Sequence, residues 1–131
     1  MPRGPTMIQP FLPSVREEGE YSLIFFGNDY SHALIKKPKS GDYRIQSLYG
    51  GTEETYSPTI NEINEAQKIL NTLPFEPLYA RVDFLRGNDD ELKLIELEMI
   101  EPYLYLSHST GTETNNTGAQ KLASALIKKL S

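Results

Sequence analysis

The chain contains no cysteine. Disulfides, thiolate metal sites and a cysteine nucleophile are therefore excluded. It also lacks any apolar run near the ~20 residues of a membrane span, and its N-terminus has no signal-peptide core. Lys and Arg form no cluster, and the formal charge is -5, which argues against a nucleic-acid-binding surface. There is no internal repeat and no low-complexity tract. These absences make a cytoplasmic protein, with no nucleic-acid and no membrane partner, the expectation. What is present suffices for a core: 131 residues, 38% of them apolar, with 8 Tyr and 5 Phe. That composition excludes wholesale disorder and suits one domain or part of one.

Residues 1–6 read as a loose lead-in with two prolines and a glycine. Residues 7–12 read as a short strand ending at Pro13, and 15–19 as a charged loop. Two runs rich in β-formers, 21–26 and 31–36, flank Gly27-Asn28-Asp29 and read as a hairpin. A further strand is expected at 43–48, closed by Gly50-Gly51. From Thr59 the period changes. Ile60, Ile63, Ala66, Ile69 and Leu70 fall at helical spacing, and Thr59 with Glu62 makes a capping box. Residues 78–85 and 92–99 read as antiparallel strands joined by the turn Gly87-Asn88-Asp89-Asp90. Residues 111–117 read as a polar linker. A final helix carries Ala119, Leu122, Ala123, Leu126 and Leu130 on one face, with Lys128 and Lys129 where cations suit the helix dipole.

The acids of the strand pair carry the chemistry. Alternation points Arg81 and Asp83 the same way, and likewise Glu96 and Glu98. Leu94 is expected on the side of the two glutamates, with Ile95, Leu97 and Met99 on the other side, in a core. If the strands pair through the Gly87 turn, three carboxylates and one guanidinium converge. Like charges so close repel unless something neutralises them. A hard divalent cation would do so with oxygen ligands. A solvated face whose acids pair with Arg81 and nearby lysines satisfies the same spacing. His32 reads as a satisfied structural residue and His108 as an exposed one. Tyr21, Phe25, Phe26 and Tyr30 read as hairpin packing.

Ala80-Arg81-Val82-Asp83-Phe84 followed by Glu96-Leu97-Glu98 resembles the metal-binding hairpin of D-alanine–D-alanine ligases. That hairpin has Arg-x-Asp on one strand and Glu-x-Asn on the next. A second stretch resembles bacterial glutathione synthetase: Ala33-Leu34-Ile35-Lys36-Lys37-Pro38, then Gly41-Asp42-Tyr43-Arg44, then Gly50-Gly51. Gln9-Pro10-Phe11 is similar to the strand that precedes it. Both relatives are ATP-grasp ligases, and the resemblance runs from about Met7 to about Tyr105.

The resemblance implies Asp83, Glu96 and Glu98 as ligands of Mg²⁺ (or Mn²⁺) bridging the phosphates of ATP. Arg81 would face the transferred phosphoryl group. Arg44 and Lys36 match basic positions that contact phosphate or the acyl substrate, and Gly50-Gly51 would let backbone N–H groups approach an anion. The implied reaction joins an unidentified carboxylate to an amine through an acylphosphate. Glu98 stands where the family has Asn, Gln46 where it has the Asn before Gly-Gly, and Glu20-Tyr21-Ser22 where it has Asp-Lys-Arg. These departures argue against glutathione synthetase itself. The family's adenine-binding groups precede the segment seen here. The chain is thus expected to be a fragment, a truncated product or one subunit of a split enzyme, inactive alone.

The expected fold is α+β, a mostly antiparallel sheet with helices packed on one face. The expected division is a lead-in over 1–6, a C-terminal ATP-grasp subdomain over 7–112, and a linker and helix of the same domain over 113–131. The expected association is a homo-oligomer or a complex with a missing N-terminal half. The competing expectation is a non-catalytic oligomerising or binding domain on the same scaffold, its acid face solvated or holding Ca²⁺.

Overall fold

The computed structural model describes residues 3–41, 50–112 and 115–131. A turn of helix α1 (Ser14–Glu17) leads into β1 (Glu20–Phe26), β2 (Asp29–Lys37) and β3 (Thr52–Tyr56). Helix α2 (Ile60–Asn71), β4 (Tyr79–Arg86) and β5 (Leu92–Glu98) follow. After a 3₁₀ turn at Leu106–His108 come two-residue strands β6 (Gly111–Thr112) and β7 (Asn115–Asn116), then α3 (Thr117–Leu130). The five longer strands form one sheet in the order β3-β2-β1-β4-β5, with every pairing antiparallel. This is the α+β architecture expected.

Local chemistry explains most boundaries. Thr59 Oγ1 accepts from the Glu62 amide at 3.2 Å, and Glu62 Oε2 accepts from the Thr59 amide at 2.8 Å, so α2 starts on a complete capping box. Gly27 takes φ +61° between β1 and β2, a conformation most side chains resist. Three expectations fail. Residues 7–12 form no strand and pair with neither edge of the sheet, β3 or β5. The charged loop expected at 15–19 overlaps α1, which is fixed where Ser14 Oγ donates to the Arg86 carbonyl at 2.6 Å. The 111–117 linker contains β6, β7 and the first residue of α3. The strand expected at 43–48 lies outside the described residues.

The sheet has two unlike faces. One packs against α2: Tyr21, Leu23, Phe25, Ala33, Ala80, Val82 and Phe84 form a core with Ala66 and Leu70. Burying a large apolar side chain contributes about 1.5–3 kcal/mol, so this face anchors the fold. The aromatic cluster of the first hairpin belongs here in large part, with Tyr21 edge-on to Tyr56 at 4.9 Å and Phe25 edge-on to Tyr30 at 5.9 Å. Arg86 closes the rim, reaching Glu18 at 3.0 Å and Glu62 at 3.3 Å. The opposite face is polar along its middle, and the chain after β5 crosses it.

Candidate functional site

Register brings the predicted residues together. Asp83 pairs with Glu96 and Arg81 with Glu98 across β4 and β5. On the other side Asp83 pairs with Ser22, and Glu20 pairs with Lys36 across β1 and β2. Directly opposed residues share a face, so all of these side chains stand on the polar face. One detail of the alternation is corrected. Phe84 pairs with Leu94 while Asp83 pairs with Glu96, so Ile95 is the extra residue of a bulge. Leu94 therefore lies opposite Phe84, on the α2 side of the sheet, and Ile95 is partly exposed rather than in the core. Leu97 and Met99 do pack on the core.

Asp83 is the centre of the cluster and is 0% exposed. It accepts from Ser22 Oγ at 2.6 Å, from Arg81 Nε at 3.0 Å and from Arg81 Nη2 at 2.9 Å. Lys36 Nζ lies 4.0 Å from it and 2.6 Å from Glu20. The same Arg81 Nη2 reaches Glu98 at 2.8 Å and Glu96 at 3.5 Å. Burial alone pushes the Arg81 pKa down, but the hydrogen bonds and charge of Asp83, with the charge of Glu98, outweigh it and raise it. Burial raises the Glu20 pKa, with Lys36 opposing.

A strap over 99–110 crosses this face. Arg81 Nη1 donates to the Tyr103 carbonyl at 3.5 Å. His32 Nε2 donates to the Leu104 carbonyl at 2.8 Å, while its Nδ1 accepts from Ser31 Oγ at 2.8 Å. That pattern suits a neutral imidazole, and burial lowers the His32 pKa. His32 is thus a satisfied structural residue, as expected. His108, expected to be exposed, is instead largely covered and bonded to Thr55 and Glu53 at 2.8 and 3.2 Å. Tyr105 sits between these anchors with φ +47° and ψ +45°. A non-glycine residue in that region costs ~1–2 kcal/mol. Its ring centre lies 5.7 Å from Lys36 Nζ and 6.0 Å from Arg81 Cζ.

Not every predicted residue joins the cluster. Gly50 and Gly51 precede β3, the edge of the sheet opposite β5, and Gly50 adopts φ +80°. Arg44 lies outside the described residues. Sequence reasoning missed Glu20, Ser22 and Tyr105. Glu20 and Ser22 carry a signal, since both flank Tyr21 on the alternation that points away from the core. A cavity of about 610 Å³ lies at the far end of β1, between Phe26, Gly27 and α3, and holds none of the predicted residues.

The donor set can be tested against a divalent cation. Among the described residues, Asp83, Glu20, Glu96 and Glu98 face two cations, Lys36 and Arg81, a formal surplus of two negative charges. Oxygen donors with that surplus fit Mg²⁺ or Mn²⁺. The Glu96 side chain is 57% exposed and that of Glu98 31%, so both are open to an incoming ion. Asp83 is already saturated by Ser22 and Arg81. Among the described residues no three acids or imidazoles converge as a ready-made cage, because the Arg81 guanidinium occupies the space between them.

No family model matches the sequence. The cycloserine biosynthesis protein DcsG of Streptomyces lavendulae is 28% identical over 138 residues, covering 95% of this chain and 42% of DcsG. The crystal structure of D-cycloserine synthetase DcsG matches with a TM-score of 0.76 and 28% identity, over 94% of this chain and 42% of that one. The ATP-grasp ligase PsnB, solved with a phosphomimetic variant of its minimal precursor, Mg and ADP, matches with a TM-score of 0.58 and 12% identity. That match covers 83% of this chain and 32% of PsnB. D-alanine–D-alanine ligase from Bacillus anthracis matches with a TM-score of 0.52 and 15% identity, over 83% of this chain and 38% of that one. The structural neighbours are ATP-grasp ligases. The chain has the fold of a C-terminal-like portion of an ATP-grasp ligase and spans 42% of the length of DcsG. The likenesses to PsnB and to the Bacillus anthracis ligase, at 12% and 15% identity, establish the fold alone.

Proposed function

We propose that this chain is the metal- and phosphate-binding part of an ATP-dependent carboxylate–amine ligase. The observation that carries the reading is the rung pairing of Asp83 with Glu96 and of Arg81 with Glu98 on one face. The likeness to DcsG over 94% of the chain supports it. In this reading residues 7–131 form one subdomain after a loose lead-in. The ligase as a whole would also need the groups that hold adenine and the acyl substrate, supplied by a missing N-terminal half or by another subunit. The chain alone is then inactive.

Glu96 and Glu98 would hold Mg²⁺ or Mn²⁺, with Asp83 beside them. The ion, when bound, would offset the charge of the ATP phosphates. In the reaction a substrate carboxylate oxygen attacks the γ-phosphorus of ATP, the bond to the β-phosphate oxygen breaks, and ADP leaves. An amine nitrogen then attacks the acyl carbon, phosphate leaves, and the nitrogen gives up a proton. The chain's own part is positioning and charge stabilisation. Arg81 Nη2 is now shared by both glutamates and Asp83. Once the glutamates have another counter-charge, the part of Nη2 that they engage is released for a phosphoryl oxygen. Asp83, itself held by Ser22, keeps its hydrogen bonds from Nε and Nη2, so Arg81 swings little. Lys36 adds a second positive charge, Gly50-Gly51 would offer backbone donors to phosphate, and Arg44 would face the acyl substrate.

Calorimetric titration of Mg²⁺-ATP into the chain tests this. The wild type should bind nucleotide only with metal, and Glu96→Gln/Glu98→Gln should bind at least ten-fold more weakly, about 1.4 kcal/mol. Equal affinity in both proteins would refute the assignment. A second reading, a non-catalytic binding domain on the same scaffold, is favoured by one observation. Arg81 Nη2 lies 2.8 Å from Glu98 and 3.5 Å from Glu96, so each glutamate has an ion-pair partner without a metal.

A further inference from the structure

We infer that Tyr105 is a positioning residue, whose ring clamps Lys36 and Arg81 so that both cations are presented to one anionic phosphate or phosphoryl group. The inference rests on the reading above, in which Arg81 faces phosphate, and adds to it a residue from the strap after β5.

Three observations carry it. One ring serves two cations, with its centre 5.7 Å from Lys36 Nζ and 6.0 Å from Arg81 Cζ. Attraction between a cation and an aromatic face is strongest where water is excluded, and Lys36 and Arg81 are each only 8% exposed. The backbone of Tyr105 is held in the left-handed region that a tyrosine avoids. Such a conformation persists only where its surroundings over-determine it, and it gathers at ligand clamps. Lastly, the strap is tied down on both sides of the ring. The Leu104 carbonyl accepts from His32, and His108 donates its amide to the Tyr105 carbonyl at 2.9 Å and bonds through its ring to Thr55 and Glu53. The Tyr103 ring, 4.6 Å away, backs Tyr105 from the solvent side.

The geometry explains a selectivity in how the cations are held. Asp83 binds Arg81 and Glu20 binds Lys36, and the Tyr105 ring lies over both cations. A phosphoryl oxygen reaching this face would meet two cations already held in place. Without the ring both long side chains regain rotamer freedom, and an anion would have to order them on binding.

The test uses the full 131-residue chain with Tyr105→Phe, which keeps the ring, and Tyr105→Asn, which removes it. Asn tolerates the left-handed backbone, so the Asn variant keeps the strap's conformation and the fold. Two readouts are taken: hydrogen exchange at Arg81 Nε–H by ¹⁵N NMR without ligand, and affinity for inorganic pyrophosphate with Mg²⁺. The expected result is exchange about ten-fold faster and affinity about ten-fold weaker in Tyr105→Asn, with Tyr105→Phe within about two-fold of wild type in both. Unchanged exchange in Tyr105→Asn overturns the clamp. Faster exchange with equal pyrophosphate affinity in all three proteins overturns its positioning role. Absence of pyrophosphate binding in the wild type defeats the phosphate reading itself, and the exchange rates then decide the clamp alone.

Discussion

Asp83 and Glu96 face each other across β4 and β5, yet one is fully buried and the other largely exposed. Substitution should separate their roles. Asp83→Asn leaves Arg81 and Lys36 short of a buried counter-charge, and removing one partner of such a pair costs about 3–5 kcal/mol. Glu96→Gln should stay within about 0.5 kcal/mol of wild type. Urea denaturation distinguishes the two, and equal losses would show that Asp83 is not the keystone. His32 supplies a pH dependence. Its folded pKa is depressed below 6.5 by burial, so the unfolded chain takes up the proton first. Its contribution to stability is then complete above about pH 6.5 and is lost as pH falls through the folded value. Thermal unfolding between pH 7.5 and 5 should show this loss, and His32→Gln should lack that component. The acids were legible because a strand's period of two places Arg81 with Asp83 and Glu96 with Glu98 without further information. Tyr105 was not, because its place depends on a strap that doubles back over β1, β2 and β4.

Helix α2 was readable because its signals are local: the Thr59/Glu62 box and a clear apolar period. Thr59→Ala should cost about 1 kcal/mol, read as a lowered urea midpoint with an unchanged slope. Strand β3 was not foreseen, since Thr52-Glu53-Glu54-Thr55-Tyr56 has no apolar alternation. It is an exposed edge whose pairing with β2 supplies what its side chains do not. The bulge at Ile95 escaped for a related reason. Alternation assumes one residue per rung, and an extra residue reverses the facing of everything before it. Glu96 and Glu98 lie beyond the bulge and kept their assigned face, so the error fell on Leu94 and Ile95. Helix α3 was found by its period, but much of its apolar stripe faces outward, with Leu126, Ile127 and Leu130 exposed. The period reports amphipathicity and says nothing of what covers it.

The described residues form a core under α2 and a polar face with its strap, and leave apolar side chains exposed toward both ends of the chain. Met7, Ile8 and Phe11 near one end, and Ile127 and Leu130 near the other, are exposed. Large apolar patches of this kind drive association, so light scattering should report a mass that rises with concentration, and a clean monomer throughout would count against it. Among the described residues no helix is long and apolar enough to cross a membrane. The measurement that tests the central claim most directly is paramagnetic line broadening by Mn²⁺ with ATP on the ¹⁵N-labelled chain. The account predicts selective loss of amide signals from Arg81 to Asp83 and from Glu96 to Glu98, abolished in Glu96→Gln/Glu98→Gln. Broadening confined to another acidic surface, such as the Asp89-Asp90-Glu91 turn, or no selective broadening at all, would contradict it.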